Sequence, residues 1–182
     1  MKVLKSLPRT MIRSLGISTA ALLLLCCQAN AQSRTYINYA PESSRVSADQ
    51  DSRITLLPDK GLFGSGHDYG EIHPCAGNGS NCFTFNFMAL RSLPGNADVG
   101  SSYLEGIYSL RVSRVVNLSL IGQVHRTLRV EVMKDGTLAN SYLFERERGV
   151  IAIVVPNFGL KSIPESIFFL EGDQGVFAEQ PE

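Results

Sequence analysis

Asp135-Gly136, set between two runs of alternating apolar and polar residues, constrains the fold more tightly than any other feature of the sequence. Before it, Leu128, Val130 and Val132 alternate with Thr127, Arg129 and Glu131. After it, Thr137 to Glu145 returns with Leu138, Tyr142 and Phe144. Side chains along a strand point to opposite faces in turn, so each run presents one apolar face. Asp-Gly readily adopts the positive φ that a two-residue reversal requires, which predicts an antiparallel hairpin. A further reversal is expected from Arg146 to Gly149, leading into Val150-Ile151-Ala152-Ile153-Val154-Val155. That stretch is β-branched and almost wholly apolar, the pattern of a strand covered on both faces.

The signature recurs along the chain. Cys82 to Met88 alternates, with Phe83, Phe85 and Phe87 on one expected face, and Val112 to Val116 and Leu118 to Ile121 read as strands. Ser166 to Leu170 and Gly175 to Ala178 flank Gly172-Asp173-Gln174 and read as a last hairpin. No stretch carries a capped apolar pattern of 3.6-residue period. Consecutive strands joined by short turns become antiparallel neighbours. The expected fold is mostly all-β: an antiparallel meander forming a small sandwich or partial barrel.

The N-terminus reads differently. Lys2, Lys5, Arg9 and Arg13 are followed by an apolar run from Leu15 to Cys27 and then by Ala29-Asn30-Ala31. A basic start, a short apolar core and an A-x-A exit describe a cleavable secretion signal over residues 1–31. The run is shorter than the ~20 residues that cross a bilayer, so no span is expected in the mature chain. A lipoprotein signal is disfavoured, because Leu25 precedes Cys26 and Cys26 precedes Cys27. The expected location is outside the cytoplasm, the periplasm ahead of the extracellular medium. Residues 32–52 are polar and read as a leader or an edge segment, and residues 53–182 as a single β-rich domain.

Of 17 basic and 17 acidic residues, the signal takes four basic and no acidic ones, which leaves 13 against 17. A mildly acidic chain without a basic patch argues against nucleic acid as a partner. Cys75 and Cys82 are the cysteines left after the signal. The intervening Asn78-Gly79 favours a reversal between them. In an oxidising compartment they are predicted to form one local disulfide.

Residues 58–81 are the longest stretch without strand alternation and hold six glycines, both retained cysteines, His67 and His73. Long irregular segments in compact domains are commonly functional, so a site is sought here first. His67, Asp68, Glu71 and His73 are the candidate metal ligands, offering nitrogen and oxygen donors to zinc or copper. The competing reading is an ordinary exposed polar loop, since the spacing matches no metal motif. His125 stands alone in a strand and reads as packed or solvated. Gly64-Ser65-Gly66 is not a G-x-S-x-G elbow, no serine has lysine three positions on, and no Gly-Lys pair opens a phosphate loop. No catalytic residue and no cofactor is assigned.

Three functions fit the residues. The preferred one is a non-enzymatic binding or inhibitor module, its 58–81 segment contacting another envelope or secreted protein. The second is a carrier of an apolar ligand in a partial barrel lined by Phe83, Phe85, Phe87, Ile151 and Ile153. The third is a hydrolase or metal enzyme built on the segment from His67 to His73.

Overall fold

A computed structural model describes residues 33–38, 53–65, 68–75, 81–120, 122–156 and 165–179. All of them belong to one compact unit, Ala31–Glu182. The expected signal, residues 1–31, lies outside the described residues, as does 39–52 of the expected leader. No helix among the described residues is long and apolar enough to cross a membrane.

Thirteen strands are described. The first four are β1 (Arg34–Asn38), β2 (Arg53–Leu57), β3 (Leu62–Ser65) and β4 (Asp68–Glu71). Three short ones follow: β5 (His73–Pro74), β6 (Cys82–Phe85) and β7 (Met88–Arg91). Next come β8 (Ser102–Glu105), β9 (Tyr108–Leu120), β10 (Gln123–Lys134) and β11 (Thr137–Glu145). The last two are β12 (Gly149–Pro156) and β13 (Glu165–Glu171). Ten of these form one antiparallel sheet in the order β4-β3-β2-β1-β13-β12-β11-β10-β9-β8, and β5-β6-β7 form a second. The expected antiparallel meander is present, and the large sheet is not closed into a barrel.

The large sheet contains the β10–β11 hairpin expected from Asp135-Gly136, toward its β8 edge. Asp135 has φ 51° and Gly136 φ 79°, and Lys134 pairs with Thr137 across the turn. Gly149, at φ 73°, begins β12 after the second reversal. β12 is buried on both faces, as its composition predicts. Val150 and Ile153 join the main core, while Ile151 and Ala152 join Leu143 on the opposite face. The pairing of β11 with β12 shifts there by one residue, Leu143 facing Ala152 and Phe144 facing Val150. The bulge therefore separates Ile151 from Ile153, so the five residues expected to line one ligand cavity do not share a face.

Three other expectations change. Of the polar leader or edge segment 32–52, Arg34–Asn38 is an internal strand, paired with β13 on one side and β2 on the other. The reason is Tyr36, which is wholly buried: its hydroxyl donates to the Val150 carbonyl at 2.9 Å and accepts from Val176 N–H at 3.2 Å. Residues 175–178 do not form a hairpin strand. They fold back on the start of β12, with Val150 N–H donating to the Val176 carbonyl and Gly175 N–H to the Arg148 carbonyl. Phe87 leaves the expected strand face, because Asn86 turns at φ 53° and Phe85 pairs with Met88.

The small sheet packs in the main core with the strands on either side of β1. Phe83, Phe85, Met88, Ala89 and Leu90 share that core with Ile54, Leu56, Phe63, Val112, Val130 and Phe144. Its free edge is satisfied by two side chains of β11. Asn140 Oδ1 accepts from Ala89 N–H at 3.1 Å, and Asn140 Nδ2 donates to the Ala89 carbonyl at 3.2 Å. The Tyr142 hydroxyl accepts from Arg91 N–H at 3.3 Å and donates to the Arg91 carbonyl at 2.9 Å. A buried strand edge needs partners for its backbone groups. Here two side chains, two residues apart on β11, take the place of a neighbouring strand.

Candidate functional site

The glycine-rich stretch expected to be irregular is built of strands. Pro58–Lys60 form a single 3₁₀ turn that ends at Gly61, in the left-handed conformation. The β3–β4 hairpin follows, and Ile72 N–H then donates to the Gly61 carbonyl at 2.8 Å, closing the hairpin at its base. Cys75 and Cys82 are joined as a disulfide with Cα atoms 5.4 Å apart, and Cys75 N–H donates to the Cys82 carbonyl. The bridge ties the start of β6 to the chain leaving β5.

The predicted metal ligands behave as follows. His67 lies outside the described residues, and of Asp68 only the backbone is described, in β4 opposite Ser65. Glu71 and His73 flank Ile72, which packs on the core, so both face solvent. His73 Nε2 is 3.9 Å from Glu71 Oε2, with the two side chains 65% and 74% exposed. An ion pair that exposed is worth little and orders neither group.

The same hairpin places an aromatic where contact is possible. β4 is the outer edge of the large sheet, and Tyr69 on it is 86% exposed. Tyr69 is paired with Gly64, so no cross-strand side chain covers its ring. Its neighbour Gly70 is paired with Phe63, whose ring lies across the glycine: a Cβ there would come within 2.8 Å of Phe63 Cζ. Phe63 is buried, and its ring meets that of Phe85 of the small sheet at a tilt of 54°, centroids 5.4 Å apart. The edge strand is thus pinned from the core by one ring and presents another to solvent. Leu62, on β3, is also exposed.

Two polar clusters lie elsewhere. His125 on β10 is buried, with Nδ1 at 3.2 and 3.3 Å from the Glu145 carboxylate oxygens. Arg148 Nη1 is 3.4 Å from each ring nitrogen, which places it against the ring rather than in line with either nitrogen. The same guanidinium donates from Nε to the Asp173 carbonyl at 2.7 Å and from Nη2 to the Gly172 carbonyl at 3.0 Å. Thr127, beside the histidine, donates its hydroxyl to the Val116 carbonyl. The cluster orients an imidazole and ties down the chain after β13, but its hydroxyl is already engaged.

Sequence reading left His125 solitary for a physical reason. Counted back from the Lys134–Thr137 pair, Phe144 falls opposite Thr127. A bulge at Val132/Met133 moves it opposite Leu128. One residue of slip exchanges the faces of a strand, so which side chains meet across this hairpin depended on a bulge that no residue pattern announces.

The second cluster surrounds the disulfide. Cys75, Cys82 and Glu105 bring one sulfur each and a carboxylate oxygen within 4.8 Å of one another. Glu105, at the end of β8, forms an ion pair with Arg91 of β7. The Arg91 guanidinium also lies 4.7 Å from the centre of the Tyr103 ring. In the oxidised chain the sulfurs are bonded to each other and offer no thiolate. Against this arrangement of an edge aromatic, a histidine clasp and a stapled corner, no family, curated protein or solved structure matches the chain.

Proposed function

We propose that the chain is exported and that its mature domain is a non-enzymatic binding or inhibitor module. It contacts a protein of the cell envelope or its surroundings through the β3–β4 edge. The export reading is supported by the basic, apolar and A-x-A succession before Gln32. The paired cysteines are in keeping with an oxidising compartment.

The single observation that carries the binding reading is Tyr69. A nearly bare aromatic on a held edge strand offers large contact area with little conformational entropy to lose, and tyrosine is enriched where interfaces concentrate their energy. The edge itself adds unpaired backbone groups that an extended segment of a partner can meet. A photo-crosslinking amino acid at position 69 of the oxidised domain should join it to one protein of the producing cell's envelope. The same residue at Asp135, in the exposed hairpin turn, should not. Tyr69→Ala, with its melting temperature unchanged, should weaken that association about tenfold or more. Equal crosslinking from both positions, or an unchanged affinity, rejects this edge as the contact surface.

A further inference from the structure

We infer that the corner formed by Cys75, Cys82 and Glu105 is, in its reduced form, a binding site for a borderline-soft divalent cation, Zn²⁺ being the natural occupant. The geometry supplies the donors. The two sulfurs and a carboxylate oxygen already lie within 4.8 Å of one another, on three separate segments: the residue after β5, the start of β6 and the end of β8. Both cysteines are buried and the Glu105 side chain is 12% exposed, so a cation here would meet protein on most sides. Zinc takes two thiolates, a carboxylate and a water in tetrahedral geometry, with Zn–S near 2.3 Å. Tetrahedral ligation at that length sets the sulfurs about 3.8 Å apart, so they part by roughly 1.7 Å once their bond is gone.

Charge favours the same occupant. Two thiolates and a carboxylate carry three negative charges, the cation two positive ones, and Arg91 the remaining one. Once both thiols have lost their protons, the cluster is neutral only with a divalent ion in place. Arg91 Nη1 pairs with Glu105 Oε1, which leaves the second oxygen to face a cation and fixes the carboxylate's orientation. The Glu105 carboxylate and the Tyr103 ring hold this guanidinium at the corner. A carboxylate beside two sulfurs also selects against purely soft ions such as Cu⁺, which prefer sulfur alone.

The two states exclude each other through balanced chemistry. Reduction by a dithiol breaks the S–S bond: two electrons and two protons pass to the cysteines, and the dithiol becomes a disulfide. Binding of Zn²⁺ then releases those two protons as the thiolates form. In the reverse direction, a small-molecule disulfide accepts the two thiolate electrons with two protons from solvent. The protein S–S bond re-forms and the cation leaves.

The test uses residues 32–182, refolded without metal under a phosphine reductant and titrated with Co²⁺ as a spectroscopic stand-in, then with Zn²⁺. The expected result is one cobalt per chain, with a thiolate-to-cobalt charge-transfer band that Zn²⁺ abolishes and that the oxidised chain never shows. Glu105→Gln should keep the band and lose about tenfold or more in affinity. Cys75→Ser with Cys82→Ser should lose the band altogether. X-ray absorption of the zinc form, independent of any variant, should report two sulfur neighbours and lighter donors besides. Absence of the band, four sulfur neighbours, or an affinity indifferent to Glu105→Gln overturns the inference. If the reduced chain is unfolded, Zn²⁺ must restore its circular dichroism, and failure to do so overturns it equally.

Discussion

Gly149 and Gly175 meet where the chain after β13 folds back on the start of β12, and neither has room for a methyl group. A Cβ at Gly175 would run into the Val150 carbonyl, and one at Gly149 into the backbone of Val176 and Phe177. Both obstacles are backbone and cannot turn aside, so Gly175→Ala should cost about 1–3 kcal/mol in urea unfolding. Gly95→Ala, with nothing within 4 Å, should stay within about 0.5 kcal/mol. The same corner holds the Tyr36 phenol, whose ionisation burial pushes far above the ordinary 10.0, the Val176 N–H and the Arg34 charge opposing it only in part. Burial does the same to Tyr142, against the Arg91 backbone bond and charge. A group with a raised folded-state pKa stabilises fully below its unfolded pKa, and that stability is lost as pH climbs beyond it. The urea midpoint should therefore be insensitive to these tyrosines at neutral pH and fall steeply above about pH 10. Tyr36→Phe should flatten part of that fall.

Among the elements, the existence of the β10–β11 hairpin was legible from residue types alone, because Asp135-Gly136 and the flanking alternation point to a reversal there, while its register beyond the Val132/Met133 bulge was not. The role of β1 was not: Arg34-Thr35-Tyr36-Ile37-Asn38 lies in a polar neighbourhood, and what recruits it is the distant partner Val150 for the Tyr36 hydroxyl. The candidate site was legible as a region and misread as a form. Glycines read as marks of an irregular stretch instead serve two hairpins, Gly70 by receiving the Phe63 ring and Gly61 by turning the chain. Nothing in the sequence singles out Asn140, and only the packing of the second sheet makes it a surrogate strand. Asn140→Leu leaves the Ala89 backbone N–H and carbonyl buried and unbonded, and should cost about 2–4 kcal/mol with faster amide exchange across β7. The disulfide is the other tie on this sheet. Replacing both cysteines by serine should remove about 2–3 kcal/mol on the chain-entropy account, measured on the oxidised parent against the variant.

For the whole molecule, the sheet order matters more than the strand count. β1 to β4 form one wing and β8 to β13 another; within the large sheet they join only where β1 pairs with β13, while the chain connects them through β5, β6 and β7. Residues near opposite ends of the chain must therefore pair before the large sheet exists. Such long-range pairing slows folding, and refolding is expected on a timescale of about milliseconds to seconds, measurable by stopped-flow fluorescence. The β1–β13 join also fixes how the molecule answers a pull. Thr35 pairs with Glu171 and Asn38 with Phe168, so the first residue of one strand and the last of the other lie at the same end of the ladder. Force applied to the two termini opens that ladder like a zipper, a few hydrogen bonds at a time, whereas strands pulled lengthwise share the load across all their bonds. Once Arg34 and Tyr36 have let go of Gly175 and Val176, the domain parts along its own middle. Stretched between two anchorages it yields early, and the face it then bares is its core.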